Sequence, residues 1–340
     1  MDPIALTTTS HKGNVMTANF TLPKLPLATL SLLSAGALLV ACSDANQDAE
    51  SSPKQLVEIS VNNFLKHWNA GEPKALSMLF AEDAIRVVSS QQLPAVGRAA
   101  ICKQFEDAMA EGTQTSTAKL TANVATAMSI SDNLIIADGT FKVSDEAGET
   151  IRNGKWGNLF RLVGDKVELV LESAHAEIGL DKDRSVFATI EREKPPEPNM
   201  GSDKDLAAAM DRSAARYSAA YNAEDAKLIA AEFLPDGMRI VSTSADPSRG
   251  REAVTASIMT ELAAGSPFKG STLSSTQLGM LKVSPTIVIA NGLWEAKDAE
   301  GGLVEFGQWG NVLEIQDNGE LLLVMESAGG FASLEQSDNK

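Results

Sequence analysis

Cysteine and histidine are scarce in this chain of 340 residues. It has two cysteines, Cys42 and Cys102, and three histidines, His11, His67 and His175. The histidines do not cluster, and no set of His, Asp and Glu has the spacing of metal ligands, so we expect no zinc or iron site and no cofactor. If Cys42 is used elsewhere, Cys102 lacks a partner and no intramolecular disulfide can form.

Basic residues are also in the minority. The chain has 29 Lys and Arg against 45 Asp and Glu, for a net charge of -16. A surface this acidic repels phosphate backbones and anionic headgroups, and no basic stripe interleaved with aromatics is present. The sequence contains no glycine-rich phosphate loop and no nucleophile elbow. We therefore expect no nucleic-acid partner.

No uncharged stretch is long enough to suit a spanning helix. Leu27 to Ala41 is an uncharged, largely apolar run of 15 residues, preceded by Lys12 and Lys24. A membrane span needs about 20 residues, whereas a run of this length suits the apolar part of a secretory signal. Residues 1–41 are therefore predicted to be a signal peptide, with Met1 and Met16 both possible start residues.

The end of that run resembles a bacterial lipobox. Leu39-Val40-Ala41 precedes Cys42, and polar Ser43 follows. The resemblance implies that Cys42 is lipidated and that Ser43, which is not an aspartate, directs the protein to the outer membrane, facing the periplasm. Several acyl chains on one cysteine anchor a protein stably without a spanning helix. Residues 42–52 then form a polar tether. An ordinary cleaved signal peptide is the alternative.

Most of the remaining chain consists of two tandem sequence repeats, with equivalent residues about 153 positions apart. Short segments recur in the same order: Trp156-Gly157-Asn158 with Trp309-Gly310-Asn311, Gly97-Arg98 with Gly250-Arg251, and Glu172-Ser173-Ala174 with Glu326-Ser327-Ala328. Each copy has the size of an ordinary domain, and solenoid repeats are much shorter. We predict a first domain at 53–180, a linker at 181–202, a second domain at 203–331 and a tail at 332–340.

Each copy begins with helical spacing and ends with strands. In the first copy, Ser52-Pro53-Lys54-Gln55 predicts a capping box that opens a helix. Four strands follow the third helix, separated by turn residues. The order predicts an α+β fold of two tandem domains, each with N-terminal helices packed on one face of an antiparallel sheet.

The order of these motifs resembles the SnoaL-like, nuclear-transport-factor-2-like superfamily, especially its secreted bacterial domains of unknown function. The resemblance implies two tandem cone-shaped domains, each with N-terminal helices packed on a curved antiparallel sheet around an internal pocket. The two copies could pair through their sheets as an internal pseudo-dimer. Ketosteroid isomerases of this superfamily use an aspartate five residues after the turn motif. Those positions are Val88 and Val241 here, so the isomerase base is absent.

The candidate site residues come from the repeated strands. Glu172 and Glu326 lie in otherwise apolar strands, where a carboxylate could act as a general base; pairing with Arg86 or Arg239 is the alternative. Each Trp shares a strand face with its Asn, so either a pocket wall or an ordinary core fits. The ligand-binding candidates are Arg86, Trp156, Asn158, His175, Arg239, Trp309 and Asn311.

Two functions are consistent with these residues. The first is a lipid-anchored protein that binds a small apolar molecule or acts as an interaction module. The second is a lyase, isomerase or hydrolase that uses Glu172 or Glu326 as its base. We expect contact with the membrane through the lipid alone. The first copy keeps more reactive groups, because Ala220 and Gly329 stand where it has His67 and His175.

Overall fold

The computed structural model describes residues 52–332. The predicted signal peptide, Cys42 and all but the last residue of the tether lie outside this range, as does the tail beyond residue 332. Within residues 52–332, no helix is both long and apolar enough to cross a membrane.

Helices and strands follow the predicted order in both copies. The elements of the first repeat are α1 (Pro53–Asn69), α2 (Pro73–Ser77), β1 (Phe80–Val88), β2 (Ala95–Val96), α3 (Arg98–Ala108), β3 (Lys119–Ala122), β4 (Thr126–Ser131), β5 (Leu134–Ser144), β6 (Thr150–Val163) and β7 (Lys166–Ala176). Those of the second are α4 (Lys204–Asn222), α5 (Ala226–Ala231), β8 (Phe233–Val241), β9 (Ser248–Arg249), α6 (Gly250–Glu261), β10 (Thr272–Lys282), β11 (Ile287–Lys297), β12 (Leu303–Ile315) and β13 (Leu321–Gly330).

Helix α1 begins where the sequence predicts it. The hydroxyl of Ser52 accepts a hydrogen bond from the backbone N–H of Gln55 at 3.3 Å, and the Gln55 side chain accepts one from the Ser52 backbone at 2.9 Å. Two otherwise unpaired donors are thereby satisfied, so the capping box is confirmed.

The two sheets have the same topology. The first runs β2-β1-β7-β6-β5-β3, with β4 also paired to β5, and the second runs β10-β11-β12-β13-β8-β9. The predicted α+β class with two tandem sheet-and-helix units is confirmed. The sheets are not wholly antiparallel, however, because β1 runs parallel to β7 and β8 runs parallel to β13. In the first repeat, α3 and strands β2 to β6 lie between β1 and β7 in the chain, which supplies the long connection that a parallel pair requires.

The faces that point away from the helices pack against each other. A Cβ on Gly157 would collide with Ile240 and Met325, and one on Gly310 would lie 3.0 Å from Val87 and 3.2 Å from Leu171. Val87 and Leu171 are the repeat equivalents of Ile240 and Met325. The glycine of each Trp-Gly-Asn segment thus lets the opposite sheet approach closely, and the contact is nearly twofold symmetric.

The segment between the repeats is packed for part of its length. It contains a short 3-10 helix, Ser185–Thr189, in which Phe187 is buried against Phe306. The backbone N–H of Ile178 donates to the carbonyl of Ser242 at 2.8 Å, so the chain crosses to the second repeat directly after β7. Glu191 to Pro198 has no helix or strand and is exposed, as its charge and proline content predict.

Candidate functional site

A cavity of about 780 Å³ lies in the first repeat between the sheet and helices α1 and α3. Much of its wall is apolar. The apolar lining residues are Val61, Phe64, Leu65, Trp68, Val88, Leu120, Phe141, Val143, Trp156, Phe160 and Leu169. The space is of the size that accommodates a drug-sized molecule.

A row of three polar side chains crosses the floor of this cavity. Asn158, Glu172 and Arg86 are register partners on the neighbouring strands β6, β7 and β1, so their side chains lie on one face. The Arg86 Nε atom donates to Glu172 Oε2 at 2.7 Å, and its Nη1 atom donates to Gln104 Oε1 at 2.9 Å. The guanidinium also lies 4.5 Å from the centre of the Phe105 ring. Contacts with Glu172 and with two residues of helix α3 therefore fix the position of the Arg86 guanidinium.

Several polar atoms of this row have no protein partner among the described residues. They are Nη2 of Arg86, Oε1 of Glu172 and Nδ2 of Asn158. The Oδ1 atom of Asn158 accepts from the Ser173 backbone at 3.1 Å. The indole Nε1 of Trp156, two residues from Asn158 on β6, likewise has no hydrogen-bond partner among the described residues. The floor thus offers hydrogen-bonding groups of both kinds to the cavity.

The matching cavity in the second repeat is much smaller, about 110 Å³. Its polar groups are bonded to one another. Glu326 accepts from Arg239 at 3.0 Å and from the Tyr217 hydroxyl at 2.8 Å, while Arg239 Nη2 donates to Glu261 at 2.8 Å. The indole of Trp309 donates to the Ser275 hydroxyl at 3.0 Å. Most of the polar groups of this cavity are therefore bonded to other side chains of the second repeat, although the buried Nε1 atom of Trp294 has no partner among the described residues.

Three substitutions between the repeats contribute to the difference in hydrogen bonding. Tyr217, Glu261 and Ser275 stand where the first repeat has Phe64, Ala108 and Ala122. Each change adds a polar group that reaches a cavity residue of the second repeat. In the first repeat the smaller or apolar residues leave both the space and the hydrogen-bonding capacity open.

Burial and neighbouring charges shift the pKa values of the polar residues in the small cavity. Burial raises the pKa of Glu326 above its usual value, although Arg239 opposes the change. Burial alone would lower the pKa of Arg239, but the carboxylates of Glu261 and Glu326 outweigh it and hold that pKa well above the usual value. Burial and the Glu326 charge likewise raise the pKa of the Tyr217 hydroxyl. Tyr217 and Arg239 therefore stay protonated and act as donors.

The segment between the repeats covers another part of the second repeat. Arg184 donates to Glu305 at 2.6 Å, and its guanidinium lies 5.1 Å from the centre of the Phe268 ring, which lines the small cavity. Burial raises the pKa of Glu305 to about 7. The residue of the first repeat that is equivalent to Glu305 is Arg152, and it lines the large cavity.

The structure places His175 away from both cavities. Its Nε2 atom lies 2.9 Å from the Ser173 hydroxyl, so the pair is hydrogen-bonded. Both residues are buried between the two sheets, where His175 lies against Gly329. Burial lowers the pKa of His175 to about 3, so the ring is neutral. His175 therefore lies at the contact between the two sheets and lines neither cavity.

The other sequence candidates fall into two groups. Arg86, Glu172, Trp156 and Asn158 line the large cavity, and Arg239, Glu326, Trp309 and Asn311 line the small one. Both glutamates have the arginine partner that the alternative interpretation gave them. In residues 52–332, no group of His, Cys, Asp and Glu could hold a metal ion. Cys42 lies outside the described residues.

The sequence reading missed Gln104, Ala108 and Tyr217. Their roles depend on which side chains meet across helices α1, α3 and α4, and no motif marks them. The repeat itself carried a signal, since Ala108 aligns with Glu261 and Phe64 with Tyr217. A change from an apolar to an ionisable residue on an otherwise apolar helix face is uncommon, and it marks where the two cavities differ.

No protein-family model and no curated protein matches the chain. Similar solved structures include a ketosteroid isomerase-like protein from Erwinia carotovora atroseptica, with 14% identity, a TM-score of 0.32, and coverage of 38% of this chain and 99% of that one. An NTF-2-like protein of unknown function from Shewanella oneidensis has 12% identity, a TM-score of 0.32, and coverage of 36% and 99%. A domain of unknown function with a cystatin-like fold from Nostoc punctiforme has 14% identity, a TM-score of 0.33, and coverage of 37% and 78%.

Proposed function

We propose that the first repeat binds a small, mainly apolar molecule with a polar end, and that the second repeat is its structural partner in an internal pseudo-dimer of two SnoaL-like domains. The observation that supports this function is the contrast between the cavities. The first is about 780 Å³ and the second about 110 Å³, although the Arg-Glu pair and the Trp and Asn side chains are common to both.

The composition of the first cavity suits such a ligand. Aromatic and aliphatic side chains gain free energy when they cover an apolar body, at about 25 cal/mol per Å² of surface removed from water. Arg86, Asn158 and Trp156 offer donors at one end, which would orient the ligand. A ligand that accepts hydrogen bonds from these donors would be held more tightly than one that does not.

A catalytic function is less well supported. An enzyme that removes a proton with Glu172 needs that carboxylate to be basic and directed at the substrate. Here Glu172 shares its charge with Arg86 at 2.7 Å. Val88, at the position of the isomerase aspartate, lines the cavity and has no proton to exchange.

Native mass spectrometry of the protein extracted from its own membrane tests the binding function directly. We expect a bound small molecule that is lost in the Ala174→Phe variant, because Ala174 lies on the cavity floor and a phenyl group there would occupy the space. The equivalent position, Ala328, provides the control: Ala328→Ser should leave the bound molecule in place. A protein that carries no molecule and binds no naphthalene probe would contradict the proposal.

We also propose that the protein is held on the periplasmic side of the outer membrane by lipid on Cys42. The lipobox-like Leu39-Val40-Ala41-Cys42 supports this localisation. The test is metabolic labelling with a fatty acid, followed by separation of the two membranes. Cys42→Ala should lose both the label and the outer-membrane fraction. Unchanged membrane attachment of that variant would exclude the lipid anchor.

A further inference from the structure

The second repeat contains a carboxylate at a position where the first repeat has the half-buried Ala108. Glu261 at the end of α6 accepts from Arg239 Nη2 at 2.8 Å and from the Thr243 hydroxyl at 3.0 Å. The Tyr221 hydroxyl also reaches it, at 3.4 Å. The carboxylate is buried and bonded on several sides, so its surroundings form a built carboxylate site.

The first repeat keeps two of the three donors of that site and lacks the carboxylate. Arg86 and Ser90 occupy the positions of Arg239 and Thr243, and Ala108 occupies the position of Glu261. Both Arg86 and Ser90 line the large cavity. Neither Nη2 of Arg86 nor the Ser90 hydroxyl has a hydrogen-bond partner among the described residues.

The two arginines are otherwise held in the same way. Arg86 donates through Nε to Glu172 and through Nη1 to Gln104, and Arg239 donates through Nε to Glu326 and through Nη1 to Ser257. Each guanidinium is therefore fixed in the same orientation, with Nη2 left for a third partner. In the second repeat that partner is an acid supplied by the chain itself.

We propose that the large cavity takes a small monocarboxylic acid, whose carboxylate binds Arg86 Nη2 and the Ser90 hydroxyl as Glu261 binds in the second repeat. This inference rests on the proposed binding function and names its ligand class. A bound acid would give the first repeat the ratio of one arginine to two carboxylates that the second repeat already contains. The apolar body would lie against the aromatic walls.

The test compares 2-naphthoate with 2-naphthamide, which share a body and differ in charge. Binding of each is measured by calorimetry to the full chain in lipid nanodiscs, with empty nanodiscs as the blank. A charge-assisted hydrogen bond is stronger than a neutral one, so we expect the acid to bind about tenfold to a hundredfold more tightly than the amide. Ala174→Phe should weaken both probes, which would locate them in the cavity.

Ala108→Glu and Ala108→Gln provide the matched variants, because they add similar volume but only one adds charge. Both leave the Arg86–Glu172 pair intact, whereas Arg86→Gln strands a buried carboxylate and could unfold the protein. Ala108→Glu should abolish the preference for the acid, and Ala108→Gln should retain part of it. An unchanged preference in Ala108→Glu would overturn the inference.

The outcomes separate the two proposals. Equal binding of acid and amide, both weakened by Ala174→Phe, would overturn the carboxylate inference and leave the cavity function standing. Failure of both probes to bind, or binding that Ala174→Phe does not affect, would contradict the cavity function itself. A preference for the acid that is lost in Ala108→Glu would support both.

Discussion

Gly157 of β6 lies directly against Ile240 of β8, on the faces of the two sheets that point away from the helices. The space for a side chain at Gly157 is already occupied by the Ile240 Cδ1 atom, and Met325 Sδ would lie 2.9 Å from an added Cβ. The close approach of the two sheets therefore depends on a missing side chain.

Gly157→Ala should destabilise the protein by about 1–3 kcal/mol, because overpacking a tight interface forces side chains or strands to move. Ile240→Val removes the colliding Cδ1 atom, so the double variant should be more stable than the sum of the two single changes predicts. The free energy of unfolding from urea titrations measures all three variants. Gly310→Ala, whose nearest atom would be 3.0 Å away, should cost less. Strict additivity would show that the two residues do not touch.

Trp156→Phe and Trp309→Phe form a second matched pair. The Trp309 indole donates to Ser275, so its loss should cost about 1 kcal/mol more stability than the loss of the Trp156 indole, which has no protein partner among the described residues. The effect on ligand binding should be the reverse, because only Trp156→Phe should weaken binding. Denaturation and calorimetry measure the two effects. Equal effects on stability would indicate that Trp156 has a partner.

Glu305→Gln should remove one source of pH dependence. The folded protein raises the pKa of Glu305 from 4.5 to about 7, so the contribution to stability is present below pH 4.5 and is lost as the pH rises through 7. The free energy of unfolding of the wild type relative to this variant should fall by up to about 3 kcal/mol between those values. Glu300→Gln, at an exposed position, is the control. A difference that does not change with pH would contradict the raised pKa.

His175→Gln should reveal a pH dependence of opposite sign. The folded protein lowers the pKa of His175 from 6.5 to about 3, so its contribution is present above pH 6.5 and is lost as the pH falls. Relative to the variant, the wild type should lose about 2 kcal/mol between pH 6.5 and about pH 5. The Glu305 and His175 effects oppose each other in this range, so each is measured against its own variant. A wild type that loses no more stability than the variant on acidification would argue against a buried neutral ring.

The repeated motifs predicted the architecture because the same local geometry requires the same residues in both copies. Gly139 and Gly292 recur since the indoles of Trp156 and Trp309 lie over them on the neighbouring strand, where a Cβ on Gly139 would be 2.7 Å from the ring. The capping box of α1 was readable for the same reason, as all of its atoms lie within four residues. The parallel pairing of β1 with β7 was missed, because it joins strands about 85 residues apart.

The sequence by itself determined that one domain is present twice, that each copy is α+β, and that Trp and Asn share a strand face. These properties follow from short-range periodicity and from direct comparison of the two copies. Tertiary structure alone decided which copy has an open cavity. That depends on whether Ala108 or Glu261 meets an arginine from another strand, and on whether Arg184 reaches Glu305 across 121 positions. Residues so far apart in the chain become partners through tertiary packing, which the local sequence pattern of either segment does not determine.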